Sequence, residues 1–280
     1  MRKMPNVAQK YERKVDERFK LKELTGYGLN TDYNWADVDT IKVYNINTVS
    51  LNDYTKSGSN RYGSPSELED TLTSYQVTND KAFTFTIDEF YKRSQMGTKA
   101  AGKALAREID EVIVPAKDTQ RLKVWAETAY TNDQVVYDTL SSSNAYTMFL
   151  NAQEKLDDEK VPRTNRIFYC TPSYYKNIKL DSNFILASDI AMEKRINGQV
   201  GEIDGVKVVM CPTSYFKTNL YGVIVYTPST ISPAKLTEYK IHDNPPGING
   251  DLVEGRVMFD TFVLNAKKKG VVAIQKTASI

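Results

Sequence analysis

The strongest periodic pattern in the chain runs from Thr98 to Ala129 and predicts a long α-helix. Most of its residues are Ala, Lys, Glu, Arg or Leu, which favour helix formation. The apolar residues recur every three or four positions, as on one face of a helix: Leu105, Ile109, Val112, Leu122, Trp125 and Ala129. At about 1.5 Å per residue the rod would be roughly 48 Å long. Pro115 lies near its middle and removes a backbone hydrogen bond, so we predict one bent helix or two nearly coaxial ones.

Residues 41–87 show a different pattern, in which apolar and polar residues alternate. This alternation predicts an outgoing strand that starts near Ile41 and a return strand that ends with Phe83, Phe85 and Ile87. The residues between them are rich in Gly, Ser, Asn and Pro, which is typical of a loop. We call residues 41–87, the two strands with their connecting loop, the excursion. An isolated hairpin is marginally stable in water, so we expect the excursion to lie against a surface of the chain or of another subunit.

The rest of the chain predicts an α/β region over residues 136–239 and further strands after it. The α/β region contains an amphipathic helix around Met148 and Phe149, followed by three short apolar strands. After residue 240, Pro245 and Pro246 mark a turn. The two apolar runs GRVMFDTFVL and GVVAI then predict strands that pair in a sheet packed against the long helix.

The first 40 residues lack a sustained period and contain too few apolar side chains to form a core. Tyr11, Val15 and Phe19 fit one side of a short helix. The segment is therefore either disordered or an arm that lies on another surface. Trp35 favours the arm, because an indole is poorly placed in a free tail.

Composition narrows the function classes. The 280 residues are 41% hydrophobic and 26% charged, as in soluble globular proteins. The net charge of +2 and the scattered lysines and arginines argue against a dedicated nucleic-acid-binding patch. The sequence contains no run of 18 apolar residues and no apolar signal core, so neither a membrane span nor a secretory signal is predicted. Two cysteines fit a reducing cytoplasm better than a disulfide framework.

Residues that could carry catalysis or bind a metal do not form a recognisable motif. His242 is the single histidine, and neither Cys170 nor Cys211 has metal-ligand spacing. The glycines at 198, 201 and 205 do not match a phosphate-binding loop. Asp32, Asn34 and Asp37 lack the glycine and closing glutamate of a calcium loop. We therefore predict no cofactor, no metal and no enzyme. Carboxylates from distant positions could still pair, so a soluble α+β enzyme stays an alternative.

Four stretches carry a resemblance to a known family: YERKVDERF, NDYTKSGSNRYGSP, AGKALAREIDEVIVP and INGDLVEGRVMFDTFVLNAKKKGV. Their order resembles the major capsid protein of tailed bacteriophages, the Hong Kong 97-type fold, and is closest to phages of Gram-positive bacteria. The resemblance implies an α+β fold with five parts. These are an N-terminal arm (1–42), an extended β-hairpin loop (43–87), a peripheral domain with a spine helix (88–135), an α/β axial domain (136–239), and returning peripheral strands (240–280).

The resemblance also implies partners and a location. The protein would form hexamers and pentamers of itself, assemble with a scaffolding protein, meet a portal protein at one vertex and enclose double-stranded DNA non-specifically. It would be assembled in the bacterial cytoplasm and reside in the virion. The chain starts at the arm, without the cleaved scaffolding segment of the founding type, so we expect a separate scaffolding protein. An encapsulin-like compartment shell is the nearest alternative.

Candidate contacts between subunits follow from residue type and from the matching parts of the family. Tyr and Arg are enriched at interface hot spots. In the predicted five-part subunit, the polar loop, the charged helix face and the proline turn are the exposed parts. The candidates are Tyr54, Lys56, Arg61, Tyr62, Arg107, Glu108, Glu111, Pro245, Pro246 and Asp251. The founding phage joins a lysine to an asparagine between subunits. Lys56 lies in the matching loop, but no acidic catalyst or asparagine matches, so we predict no cross-link.

Overall fold

The computed structural model describes residues 22–32, 40–65, 67–89, 101–181 and 199–276. Several sequence predictions lie outside these residues: the helix around Tyr11, Val15 and Phe19, the packing of Trp35, the start of the long helix before residue 101, the side chain of Leu105, and Asn34, Asp37 and Gly198.

The described residues form thirteen strands and four α-helices, with the α-helices confined to the middle of the chain. The strands are β1 (Thr40–Ile46), β2 (Asp70–Gln76), β3 (Asp80–Asp88), β4 (Val135–Tyr137), β5 (Arg166–Cys170), β6 (Gln199–Ile203), β7 (Val206–Met210), β8 (Leu220–Tyr226), β9 (Thr230–Ile231), β10 (Ala234–Asp243), β11 (Gly250–Phe259), β12 (Phe262–Val263) and β13 (Val271–Gln275). The α-helices are α1 (Ala101–Glu108), α2 (Val114–Thr131), α3 (Ala145–Asp158) and α4 (Pro172–Leu180), with a π-helical stretch, Ile109–Ile113, between α1 and α2. Short 3-10 helices span Thr25–Gly28, Thr213–Tyr215, Thr227–Ser229 and Asn265–Gly270.

A six-stranded sheet with the order β4-β13-β8-β5-β7-β6 forms the centre of the molecule. Helix α2 covers one face through Leu122, Trp125 and Ala129, with the Trp125 ring stacked on Tyr169 at 5.2 Å between centroids. Helices α3 and α4 cover the other face, where Phe149 packs on Phe168 at 5.3 Å. The predicted helix and the three predicted apolar strands of this region are confirmed.

The long helix contains the predicted irregularity, but in a different form. A π-helical stretch precedes Pro115, and the N–H of Val114 bonds to the carbonyl of Ile109, five residues back. A π-turn holds one residue more than an α-turn and therefore shifts the helix faces. As a result Val112, expected on the apolar stripe, is 50% exposed, whereas Ile113 is only 8% exposed and packs on the three-stranded sheet.

The excursion returns as two strands, and the prediction of one continuous return strand is wrong. Strand β2 pairs with β1, whereas β3 pairs with β11 in a three-stranded sheet of order β10-β11-β3. The chain leaves the first pairing at residues 77–79, where polar side chains bind Asp260.

The two C-terminal runs do not pair with each other, so that prediction is also wrong. Strand β11 lies between β10 and β3, and β13 lies between β4 and β8. The burial of the two strands explains why they join different sheets. All five residues of β13 are buried, as in a strand covered on both faces, whereas buried and more exposed residues largely alternate along β11. Strand β10 also runs across the predicted boundary at 239/240, and the division into domains stays a prediction.

Candidate assembly surface

The antiparallel ribbon of β1 and β2 has two unlike faces. On one face Ile41 lies opposite Tyr75, and near this end the ribbon packs on Ile231 and Leu264. On the other face Tyr44 lies opposite Leu72. Successive residues of a strand point to opposite faces, so Ile46 follows Tyr44 on that second face. Both Tyr44 and Ile46 are about two-thirds exposed, at 66% and 64%.

Residues 47–69 join the two strands and fold back on themselves at the tip. The N–H of Thr55 donates to the carbonyl of Arg61 at 3.0 Å, and the N–H of Gly63 donates to Asn60 at 2.9 Å. Gly63 has a φ of +87°, and a Cβ there would lie 2.5 Å from the amide of Asn52. The tip is thus held by its own backbone and requires a glycine at this position.

Large apolar side chains remain exposed along the whole excursion. Their exposed fractions range from 45% for Leu72 to 101% for Leu51. The set comprises Tyr44, Ile46, Val49, Leu51, Tyr54, Tyr62, Leu68 and Leu72. A series of exposed apolar side chains in one extended element indicates a surface that another molecule covers. We call these eight residues the apolar ribbon surface.

The structure brings together the candidate contacts of the loop. Tyr54 and Tyr62 meet edge to face with ring centroids 5.1 Å apart. The Nε of Arg61 donates to the carbonyl of Gly58 at 3.1 Å, which orders its exposed side chain at the tip. Lys56 lies exposed in the bend between the two tyrosines.

The remaining candidates lie on other elements. Arg107, Glu108 and Glu111 are half-buried along α1 and the π-helical stretch. Pro245 and Pro246 lie in the turn between β10 and β11, where Pro245 accepts the N–H of Ile248 at 3.0 Å. Pro246 is exposed in that turn.

The last candidate, Asp251, has little surface available for a neighbour. It is only 7% exposed within β11, opposite Ile87 and Asp243. On α2, the ammonium of Lys117 lies 3.4 Å from the Glu23 carboxylate of its own chain.

A buried polar cluster ties the start of the described chain to α2, and the sequence reasoning missed it. Asp118 accepts the N–H groups of Leu24 at 3.0 Å and Thr25 at 3.3 Å. Arg121 donates to the Thr25 hydroxyl at 3.0 Å and forms an ion pair with Glu23. Burial disfavours the charged form of Glu23, but Arg121 and Lys117 together outweigh burial and lower the pKa of Glu23. The sign of this cluster in the sequence was the charged pair Asp118 and Arg121 within the otherwise apolar stripe of the long helix.

The residues considered as metal ligands or reactive groups do not form a metal site within the described part of the chain. No three His, Cys, Asp or Glu side chains there could hold a metal ion. Cys170 and Cys211 belong to the cores on opposite faces of the six-stranded sheet, and burial raises the pKa of both thiols. His242 is exposed and lies 3.2 Å from Glu254. None of the described helices has the length and apolar character needed to cross a membrane.

Solved phage structures share this architecture over nearly the whole chain. A chain of Mycobacterium phage Che8 has a TM-score of 0.71 and 14% identity, with 98% of this chain and 99% of that chain covered. The capsid structure of cyanophage P-SCSP1u has a TM-score of 0.66 and 13% identity, covering 98% and 94%. The mature capsid of bacteriophage PhiM1 has a TM-score of 0.62 and 10% identity, covering 97% and 92%.

No protein-family model and no curated protein matches the sequence. At such low identities, the structural likeness establishes the fold. The chain has the α+β fold of phage capsid proteins, so the Hong Kong 97-type fold class predicted from the sequence is confirmed.

Proposed function

We propose that this protein is a major capsid protein that self-assembles into the shell enclosing a phage double-stranded DNA genome. The apolar ribbon surface is the observation that carries the proposal, because a monomer would leave eight large apolar side chains of one element in water. The capsid fold supports the same conclusion.

Shell formation requires head-to-tail contacts, in which one surface of a subunit meets a different surface of its neighbour. Such contacts close into rings when the rotation permits, and pentamers and hexamers are the rings proposed here. The excursion suits this role because it extends beyond the cores described above. Its tip presents Tyr54, Tyr62 and Arg61, which are the residue types that dominate interface energetics.

The other partners follow from the same assignment. A scaffolding protein would guide assembly in the bacterial cytoplasm, and a portal protein would replace capsid subunits at one vertex. The net charge of +2 fits a container that encloses DNA without binding it tightly. The role is structural, and the virion is its location.

The test replaces apolar side chains of the ribbon without shortening it. The variant Leu51→Ser with Leu68→Ser should remain folded and monomeric and form few closed shells when expressed with the neighbouring scaffold gene. Leu150→Ser on α3 is the control, because Leu150 is also an exposed leucine, at 41%, but lies outside the ribbon. Electron microscopy counts the shells.

Wild-type shell yield from the double variant would overturn the role of the ribbon. A wild-type protein that stays monomeric at every concentration, with scaffold present, would overturn the proposed function. Shells that form without scaffold and contain a co-purified enzyme would instead identify an encapsulin-like compartment.

A further inference from the structure

The apolar ribbon surface can position a neighbour only if the ribbon leaves the body of the subunit in a defined direction. Residues 75–79, from the last two residues of β2 to the start of β3, form the root of the ribbon. They contact residues 259–265, which we call the socket. The root and the socket are at least 180 residues apart in sequence, so only the tertiary structure brings them together.

One side of the root is held by aromatic packing. The ring of Tyr75 lies 5.5 Å from the ring of Phe262, and its hydroxyl accepts the N–H of Asn265 at 2.8 Å. Tyr75 is 8% exposed and shares a small core with Ile231 and Leu264. This contact fixes one point of the root, about which the ribbon could still pivot.

The carboxylate of Asp260 holds the other side of the root, next to a backbone hydrogen bond from the N–H of Phe259 to the carbonyl of Asn79 at 3.1 Å. Its Oδ2 accepts from the N–H of Thr78 at 3.1 Å and from the Thr78 hydroxyl at 3.0 Å. Its Oδ1 accepts from the side-chain amide of Asn79 at 3.2 Å. The socket backbone adds the N–H of Thr261 at 2.9 Å. Asp260 is only 6% exposed, so these bonds face little competition from water.

The same carboxylate also binds the long helix. The side-chain amide of Gln120, on α2, donates to Asp260 Oδ1 at 2.9 Å. The ribbon root and α2 therefore share one acceptor. Hydrogen bonds to a charged acceptor are stronger than neutral ones, and their geometry is correspondingly tighter. A displacement of α2 must then either move the root with it or break bonds at this carboxylate.

We infer that Asp260 is a positioning residue that sets the direction of the ribbon relative to α2 and couples their movements. Tyr75 and Asp260 hold the root at two separate points, and two points restrict rotation where one does not. The consequence for shells rests on the proposed function, whereas the coupling itself is a property of the single subunit.

Pulsed electron paramagnetic resonance on the unassembled subunit tests the inference. Spin labels are placed at Asn45→Cys in β1 and Lys123→Cys in α2, both exposed positions. The native thiols of Cys170 and Cys211 are 0% exposed, so the labels attach only to the introduced cysteines. The measured quantity is the width of the distance distribution between ribbon and helix.

Asp260→Asn should broaden this distribution by about twofold or more with unchanged circular dichroism, because it removes the charged acceptor while leaving its donors in place. Asp80→Asn is the matched control. Asp80 is an exposed carboxylate close to the root in sequence, but it pairs with Arg256 across the sheet. The control should leave the width unchanged.

An unchanged width in folded Asp260→Asn would overturn the inference. Should that variant fail to fold, Thr78→Ala and Gln120→Ala each remove donors from one side of Asp260 and keep the carboxylate. Both should broaden the distribution, and wild-type widths in both would overturn the coupling. Broadened distributions in a protein whose wild type forms no shells would support the coupling and overturn the proposed function instead.

Discussion

Tyr54 and Tyr62 pack edge to face with ring centroids 5.1 Å apart, although they are 53% and 83% exposed. The hydrogen bond between the N–H of Thr55 and the carbonyl of Arg61 closes the loop between them. The aromatic pair is therefore formed before any partner arrives. Such preorganisation lowers the entropic cost of binding and fits a surface used repeatedly in a shell.

Replacing both tyrosines should affect assembly much more than folding. For Tyr54→Ala with Tyr62→Ala we expect association between subunits to weaken by roughly tenfold or more, since hot-spot aromatics contribute about 2 kcal/mol or more. The free energy of unfolding should change by less than about 0.5 kcal/mol, as is usual for exposed sites. Light scattering and urea unfolding measure the two effects. Tyr130→Ala, on α2 and 47% exposed, is the control, and equal losses of assembly in both variants would contradict the assignment.

The segment that contains Gly28 should be sensitive to one added methyl group. A Cβ at Gly28 would lie 2.6 Å from the hydroxyl of Tyr169, which donates to the carbonyl of Thr25 at 3.2 Å. Gly28→Ala should therefore lower the free energy of unfolding by about 1–3 kcal/mol through overpacking. At Gly26 the same methyl group would lie 3.4 Å from the Glu23 side chain, an ordinary van der Waals distance. Gly26→Ala should be close to neutral, and urea titrations that show equal losses would refute the distinction.

The ion pair of Asp157 with the buried Arg166 should make stability depend on pH. Burial disfavours ionised Asp157, but hydrogen bonds from Arg166 and Arg163 outweigh it and lower the pKa of Asp157 below 3.8. Its contribution is therefore fully present above pH 3.8 and is lost as the pH falls through the lower folded-state value.

Asp157→Asn should cost about 1–3 kcal/mol near neutral pH, because the guanidinium of Arg166 is 0% exposed and loses its charged partner. The difference from wild type should shrink on acidification below pH 3.8. Arg163 is 82% exposed, so Arg163→Ala should cost less than about 1 kcal/mol. Denaturant titrations at several pH values measure this, and a constant difference down to the acid transition would contradict the linkage.

The π-helical stretch should tolerate the loss of one residue. Deleting Val112, which is 50% exposed, would convert the stretch to α-helix and keep Ile109 and Ile113 on one face. We expect the free energy of unfolding to fall by no more than about 1–2 kcal/mol. Deleting the exposed Lys123 from the regular α2 would rotate the residues before it relative to those after it. The buried contacts of one part of the helix would then be lost, which should prevent folding. Circular dichroism melts compare the two deletions, and similar damage from both would disprove this role of the π-turn.

The two cysteines should be inert in the native protein. Both side chains are fully buried, and burial raises the pKa of each thiol, so thiolate is scarce at neutral pH. We expect no thiol of the native protein to react with a chromogenic thiol reagent. In denaturant, two thiols per chain should react. Rapid reaction of either thiol before unfolding would contradict the packing of the six-stranded sheet.

The sequence predicted the elements whose neighbours lie close along the chain. Helix α3 has a regular stripe and β5, β7 and β8 are nearly all apolar, so local periodicity sufficed. Tyr54 and Tyr62 were named as contact candidates because Tyr and Arg in a polar loop are typical of interfaces; both are exposed, and their contact role stays a prediction. The exposure of Leu51 and Leu68 was not predicted, since single leucines in a loop give no pattern.

Strand partners could not be predicted in the same way. Residues 71–87 alternate as one strand would, yet β2 and β3 belong to different sheets. The division depends on Asp260, which binds the residues between them from more than 180 positions away. Likewise the apolar run of β13 was recognised, but whether it joins β11 or β8 depends on which faces are covered.

The amino-acid sequence alone therefore determined the α+β composition, the apolar strands of the six-stranded sheet, the long helix and the resemblance to the capsid fold. It could do so because periodicity, turn residues and local motifs are properties of neighbouring residues. The tertiary structure decided the break in the return strand, the π-turn before Pro115, the buried Asp118–Arg121 cluster and the Asp260 socket. At Asp118–Arg121 and at Asp260, distant segments bury polar groups that satisfy one another. At the π-turn, Ile113 packs on apolar side chains of the three-stranded sheet. Periodicity carries no information about such distant partners.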